Sequence, residues 1–236
     1  MSERQARWIS ILAGLAALAV AVTMGRVALA PCGGLAGNYR PVIAFELARS
    51  VPDLAKIFGP GKCTPDQAAT LVDNLNRVNL WDMAAFIPAY GAFLFFFFFT
   101  VRAAPWWRLG AALVVLACAA DYWEDWCLAG LATQHTGPSH YLALLPWATA
   151  IKWIGLGVAL ALGGLALACR GTWRWLTVLT GLAGLAATVL AIWSPADYGP
   201  RLNLPIGVAF LAIFLAELAE AFIAQAAARS DRKRAE

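Results

Sequence analysis

LGAALVVLACAADYWEDWCLAGL, residues 109–131, is an apolar run long enough to cross a membrane, yet it carries Asp121, Glu124 and Asp125. On a helix, positions three and four apart fall on one face, so the three carboxylates project together. Each ionisable group at that depth costs roughly 2.5–3.5 kcal/mol on insertion scales, and such groups face a bundle interior or water rather than lipid. The reading of this run as a membrane helix decides the fold, and its acids mark where the chemistry lies.

The rest of the chain agrees with that reading. At 236 residues, 61% hydrophobic and 14% charged, it is too apolar for an ordinary soluble domain. The net charge of +4 does not indicate a nucleic-acid partner, because the basic residues sit in short segments between apolar runs. No phosphate-binding glycine loop, zinc-type cysteine pairing or internal repeat is present.

Six apolar runs are expected to form membrane helices: residues 8–30, 83–101, 109–131, 147–169, 175–193 and 206–227. The fold class is an all-α polytopic membrane helix bundle forming a single domain, 1–236. Arg4 and Arg7, Arg102 and Arg108, Arg170 and Arg174, and the tail with Arg229, Arg232, Lys233 and Arg234 all fall on one side. The positive-inside rule makes that side, and both termini, cytoplasmic. Ala28-Leu29-Ala30 has the small residues of a signal-peptide cleavage site, but the run is long and Pro31 follows directly, so a retained first helix is expected.

The polar segment 31–82 then lies outside. It carries Cys32 and Cys63, whose pairing is expected in an oxidising compartment. Ile43, Leu47, Val51 and Leu54 recur at helical spacing and predict an amphipathic helix starting near Tyr39, which Pro52 kinks or ends. Thr64-Pro65-Asp66-Gln67 supplies a cap, a first-turn proline and a capping-box Gln for a second loop helix. Both helices are expected to form a lid on the outer membrane face.

Depth brings the charges together. Lys152 stands about six residues from the outer end of the fourth run, roughly 9 Å deep, which matches Glu124 and Asp125 on the antiparallel third run. A pair between them is expected. Arg26 lies near the outer end of the first run, Asp82 at the mouth of the second, and Glu46 in the lid. The candidate ligand-binding set is Arg26, Glu46, Asp82, Asp121, Glu124, Asp125, Lys152, Trp123 and Trp126. Counting the two cations, three negative charges remain in excess, so protons or a cation must balance them. A polar network that only fixes helix packing is the competing explanation, and matched partners are what it would need.

Trp81, Trp123, Trp126, Trp147 and Trp153 lie at the same level, where ring faces can hold an organic cation. For Trp81 and Trp147 the interfacial aromatic belt is the better explanation. His135 and His140 have no fixed spacing to the acids and read as polar loop residues, so no metal ligands are assigned and the cofactor is left unknown. Cys118, Cys127 and Cys169 read as small apolar fillers. Glu217 and Glu220 are expected to make a second polar contact, with the basic tail, or to mark an oligomer or partner surface.

Phe45-Glu46-Leu47-Ala48, Asp82 at the head of the second run, Asp121-x-x-Glu124 in the third and Lys152 in the fourth resemble a group of uncharacterised bacterial multi-pass inner-membrane proteins. The resemblance spans about residues 39–168. It supports the choice of these residues; the charge pattern and the cysteines give the expected location, a bacterial cytoplasmic membrane with segment 31–82 periplasmic or extracellular. In that group Asn usually follows the acid pair, where this chain has Asp125, and no activity is implied.

Three functions fit these residues. The first is a binding or transport protein whose outward-facing acidic/Lys site takes a cation, a proton or a lipid or small-molecule headgroup. The second is a membrane-embedded enzyme using Asp121 and Glu124 as an acid/base pair on a lipid-like substrate. The third is a structural subunit of a membrane complex. Expected partners are membrane lipid and a cationic or lipid-like ligand, with a homo-oligomer or complex subunit left open.

Overall fold

The computed structural model describes residues 1–36, 39–59, 63–134, 139–168 and 175–235, with side chains described up to residue 226. The described residues are helical, with no strands among them, and form ten α-helices in chain order: α1 Glu3–Met24, α2 Pro41–Glu46, α3 Val51–Phe58, α4 Pro65–Trp81, α5 Ile87–Thr100, α6 Trp107–Thr133, α7 His140–Ala168, α8 Trp175–Trp193, α9 Pro195–Tyr198 and α10 Asn203–Ala235.

Five helical stretches are long and apolar enough to cross a membrane: Glu3–Met24, Pro65–Thr100, His140–Ala168, Trp175–Trp193 and Pro195–Ala226. α6 has 27 residues, about 40 Å at 1.5 Å per residue, but Asp121, Glu124 and Asp125 lower its hydropathy and it is not one of the five. The outer faces carry stripes of exposed apolar side chains, such as Leu12, Leu15, Leu18 and Val22 on α1 and Leu204, Val208, Leu211 and Leu215 on α10. A water-soluble monomer does not display apolar surface on this scale, so the chain is a membrane protein.

Several expected boundaries move. α1 begins before residue 8 and ends at Met24, because Ser2 and Gln5 form a capping box and the chain turns at Gly25. α7 starts at His140 instead of 147, and α10 continues through the basic tail. The largest change is at the second run, where α4 does not stop at the membrane. It passes through a π-helical turn, Asp82–Phe86, straight into α5, and the Ile87 N–H donates to the Asp82 carbonyl. Pro88 accounts for the turn: its ring cannot share a tight α register with the preceding carbonyls, and a one-residue widening removes the clash.

The bundle core lies between α1, α5, α6, α7 and α10, with Tyr90, Phe93, Phe97, Phe98, Leu160 and Ile213 among its buried residues. α7 and α8 approach closely through glycines: a Cβ on Gly164 would stand 2.4 Å from the Thr177 carbonyl oxygen, and one on Gly181 2.8 Å from that of Leu160. A second core forms beyond it, where Phe45, Leu54, Ile57, Leu71 and Leu75 of the lid pack on Cys127, Leu131 and Leu145.

α2 joins the two cores. Ile43 and Leu47, four residues apart, enter the bundle core, while Ala44, Phe45 and Ala48 enter the lid core. Glu46 is left between them and is buried. The lid is held by the Cys32–Cys63 disulfide, across a separation of 31 residues, worth about 3–4 kcal/mol by loop entropy. Tyr39 Oη donates to the Pro195 carbonyl at 2.9 Å, and the Arg49 guanidinium donates to the Ile192 carbonyl. The Thr64–Gln67 capping box starts α4 as expected. Pro52, by contrast, sits in the first turn of α3 and begins a helix behind the Ser50 cap instead of ending one.

Candidate functional site

The face of α6 that carries Asp121, Glu124 and Asp125 turns inward, and all three are buried, at 1%, 0% and 1% exposure. α7 brings Lys152 against them. Its Nζ lies 2.7 Å from Asp121 Oδ1 and 3.6 Å from Glu46 Oε2, and it donates to Glu124 Oε2. The contact to Glu124 is a hydrogen bond and the other two are ion pairs, so Asp121 Oδ1 stays buried beside the ammonium without a hydrogen-bond partner. The expected Lys152–Glu124 pair is present. Asp125 is not a Lys152 partner; it sits one step around the helix, toward Asp82.

Neutral donors complete the first layer. Tyr90 Oη donates to Asp121 Oδ2 at 2.7 Å. Thr149 Oγ1 stands 2.5 Å from Glu124 Oε1 and 2.9 Å from the Glu46 carbonyl oxygen, tying α7 to the last turn of α2. Trp153 Nε1 donates to Glu46 Oε2 at 3.2 Å, and the Lys152 ammonium lies 4.9 Å from the Trp153 ring centre. Asn79 of α4 donates to the Asp125 carbonyl at 2.9 Å. Glu46 belongs to the lid, outside the spans. Burial pushes its carboxyl up to about 7; Lys152 pulls against that shift, and Asp121 and Asp82 add to it.

Asp82 stands at the head of the π turn. It is half-buried, and one of its oxygens, Oδ1, is shielded from solvent without a hydrogen-bond partner. Asp125 Oδ2 is in the same condition. Asp82, Asp121 and Asp125 each bring a carboxylate oxygen within 4.8 Å of the other two.

Three sequence expectations change. Arg26 is exposed beyond the end of α1 and makes no ion pair with any described carboxylate, because α1 stops at Met24. Among the described residues Lys152 is therefore the one cation beside the five carboxylates, an excess of four instead of three. Trp126 is 49% exposed and packs edge-on against Tyr141 with ring centres 5.0 Å apart, and Trp123 is half-buried beside the lid core. Neither lines the main cavity, whereas Trp153 does. His140 begins α7 with its ring against Tyr141, and His135 lies outside the described residues.

That cavity is the feature sequence reasoning missed. It holds about 700 Å³ and ends on Glu46, Asp82, Tyr90, Asp121 and Lys152. Its walls are apolar and run from Gly14 to Gly25 on α1 and from Asn203 to Phe214 on α10, about 16 Å on each helix. Leu18 and Leu211 line it while remaining 55% and 49% exposed, so it opens sideways between α1 and α10. Arg40 stands exposed on its rim. Tyr90, Thr149 and Asn79 were not singled out as site residues, and Trp153 was noted for its depth but not placed in the candidate set. Their types are common in helices, and only the three-dimensional arrangement identifies them.

Glu217 forms its polar contact elsewhere. It is fully buried, accepts from Thr100 Oγ1 at 2.9 Å and lies 3.5 Å from Arg7 Nε. A contact with the basic tail, or an oligomer or partner surface, was expected; among the described residues Arg7 of α1 is in contact with it, and the side chains of the tail lie outside them.

Comparison with known proteins finds no matching family model, no matching curated protein and no matching solved structure.

Proposed function

We propose that this protein binds a lipid-like amphiphile, with its tail between α1 and α10 and its headgroup on the acidic base of the cavity. The observation that carries the reading is the continuity of a sideways-opening apolar groove with a buried, acid-rich end. A groove about 16 Å long suits an acyl or isoprenoid chain. The base favours a headgroup that brings positive charge or hydrogen-bond donors, since five carboxylates share one ammonium. Trp153 adds an aromatic face beside them.

In this reading α6 is the sixth membrane span and both termini are cytoplasmic. The lid then lies outside, and the cavity opens to the outer leaflet of a bacterial cytoplasmic membrane. A purely structural role for the cluster is disfavoured by its unmatched charge, because packing alone is served by paired groups. Native mass spectrometry of the protein in mild detergent tests the reading. A discrete lipid or amphiphile adduct is expected on the wild type and absent from a folded Asp121→Asn/Glu124→Gln variant. Wild type and folded variant equally empty would overturn it.

A further inference from the structure

Four carboxylates beyond the one matched by Lys152 do not stay ionised together in a low-dielectric interior without protons or counter-charge, and their arrangement is uneven. Lys152 serves Glu46, Asp121 and Glu124. Asp125 is 1% exposed and keeps Oδ2 without any hydrogen-bond partner, and Asp82 Oδ1 is shielded from solvent in the same state. An unpartnered buried carboxylate oxygen costs on the order of 1–3 kcal/mol, more when charged. Two such oxygens on neighbouring helices, with Asp121 beside them, call for a shared partner.

The space for one exists. A void of about 20 Å³, room for one particle the size of a water molecule, is lined by Asp82, Asp125, Glu46 and Asn79 among mostly apolar neighbours, while Asp121 borders the main cavity beside Asp82. The oxygens of Asp82, Asp121 and Asp125 lie within 4.8 Å of one another. Oxygens on opposite sides of a calcium-sized ion, at about 2.3–2.6 Å each, are roughly 4.6–5.2 Å apart, so the three carboxylates are close enough together to share such an ion. Three carboxylates and no described sulfur or imidazole ligand make a hard-oxygen site.

We infer that Asp82, Asp121 and Asp125 form a binding site for a hard divalent cation at the junction of the small void and the main cavity. Tyr90, donating to Asp121, orients one ligand, and Asn79, holding the Asp125 backbone, fixes another. The π turn places Asp82 where the third ligand is needed. Because Asp82 and Asp121 also line the main cavity, an ion here stands at the headgroup end of the groove. The inference deepens the proposed function but does not require an amphiphile to be bound.

The test uses Mn²⁺ alone, with the full chain, chelator-washed and delipidated, in nanodiscs. Electron paramagnetic resonance is expected to show one Mn²⁺ held per chain and displaced by Ca²⁺. Asp125→Asn, with far-UV circular dichroism unchanged, is expected to weaken it at least tenfold, and Asp82→Asn supplies a second neutralised ligand at a half-buried position. Asp125→Glu keeps the charge, moves it by one methylene and is expected to alter the Mn²⁺ spectrum. Lack of stoichiometric Mn²⁺ on the wild type overturns the inference. So does Mn²⁺ binding that is unchanged in the folded variants, or a spectrum of Asp125→Glu identical to that of the wild type. Lipid retention is read separately, so failure of the amphiphile reading leaves this result standing and the reverse also holds.

Discussion

Two buried polar clusters occupy this bundle, and they are built on opposite terms. At the far end from the lid, buried Glu217 meets Arg7 and accepts from Thr100, while Arg7 also pairs at 3.1 Å with the solvent-exposed Glu3: one cation for one buried carboxylate among the described residues, near the start of α1. The main cavity stops at Gly14 and Phe214, short of both. At the lid end five carboxylates face one ammonium, three of them, Asp82, Asp121 and Asp125, keep an oxygen without a hydrogen-bond partner, and a cavity of about 700 Å³ ends on the group. Balanced charge without a cavity is what helix registration needs. Unbalanced charge on a cavity is what a binding site needs.

The comparison can be broken most severely at Lys152. Replacing it with Met leaves every carboxylate of the lid-end cluster without its cation, and the expected loss is about 3–5 kcal/mol, read as failure to purify a monodisperse protein or a large drop in melting temperature. Arg7→Met at the balanced end is expected to cost less, about 1–3 kcal/mol, and to leave amphiphile retention intact. An Arg7→Met effect as large as that of Lys152→Met would erase the distinction.

The sign of a charge neutralisation sharpens it further. Asp82→Asn is expected to raise the melting temperature of the delipidated, metal-free protein by relieving like-charge crowding, on the order of 1 kcal/mol. Glu217→Gln, which removes a matched partner, is expected to lower it by a similar amount. Shifts of the same sign in both variants would show that the two clusters are not different in kind.

The lid contributes two opposite pH dependences. Glu46, with its carboxyl pushed up to about 7, keeps its proton in the folded chain after the unfolded chain has lost it. From the ordinary carboxylate range up to about 7, folded protein binds more protons, and stability falls as pH rises. Lys152, Asp121, Asp82 and Trp153 face this group. Glu46→Gln is expected to flatten that part of the melting-temperature profile.

Asp53 in the cap of α3 has the reverse sign. Burial works against its ionised form, but hydrogen bonds from Lys56, Ser50 and the Arg49 N–H outweigh it and hold the carboxyl below its usual value. Its contribution is present above the ordinary range and is lost as pH falls through the lowered value. The group is half-buried and screened by solvent, so the effect is expected to stay under about 1 kcal/mol and to disappear in Asp53→Asn.

Much of the site was legible in the sequence because burying a charge in an apolar run is rare and costly. Asp121, Glu124 and Lys152 stood out for that reason, and helical spacing placed them on facing surfaces. Glu46 was readable from the lid pattern once Ile43 and Leu47 defined one face of α2. Arg26 was misplaced because the apolar run continues past Met24 although the helix does not, since hydropathy does not register a turn at Gly25. The continuous α4–α5 helix was missed because the polar surface of α4 marks a loop to a hydropathy reading, and a π turn at Pro88 has no simple composition signal. The groove between α1 and α10 depends on two helices far apart in the chain failing to close, which no local pattern encodes.

That groove offers the most direct test of the central claim. A Cβ added at Gly207, on the α10 wall, would meet no other atom within 4 Å, so Gly207→Phe can fill the space without displacing the backbone. Native mass spectrometry should then show the amphiphile adduct on the wild type and its loss from Gly207→Phe, with the melting temperature of the delipidated proteins unchanged. The same adduct retained at the same occupancy in Gly207→Phe would contradict the account.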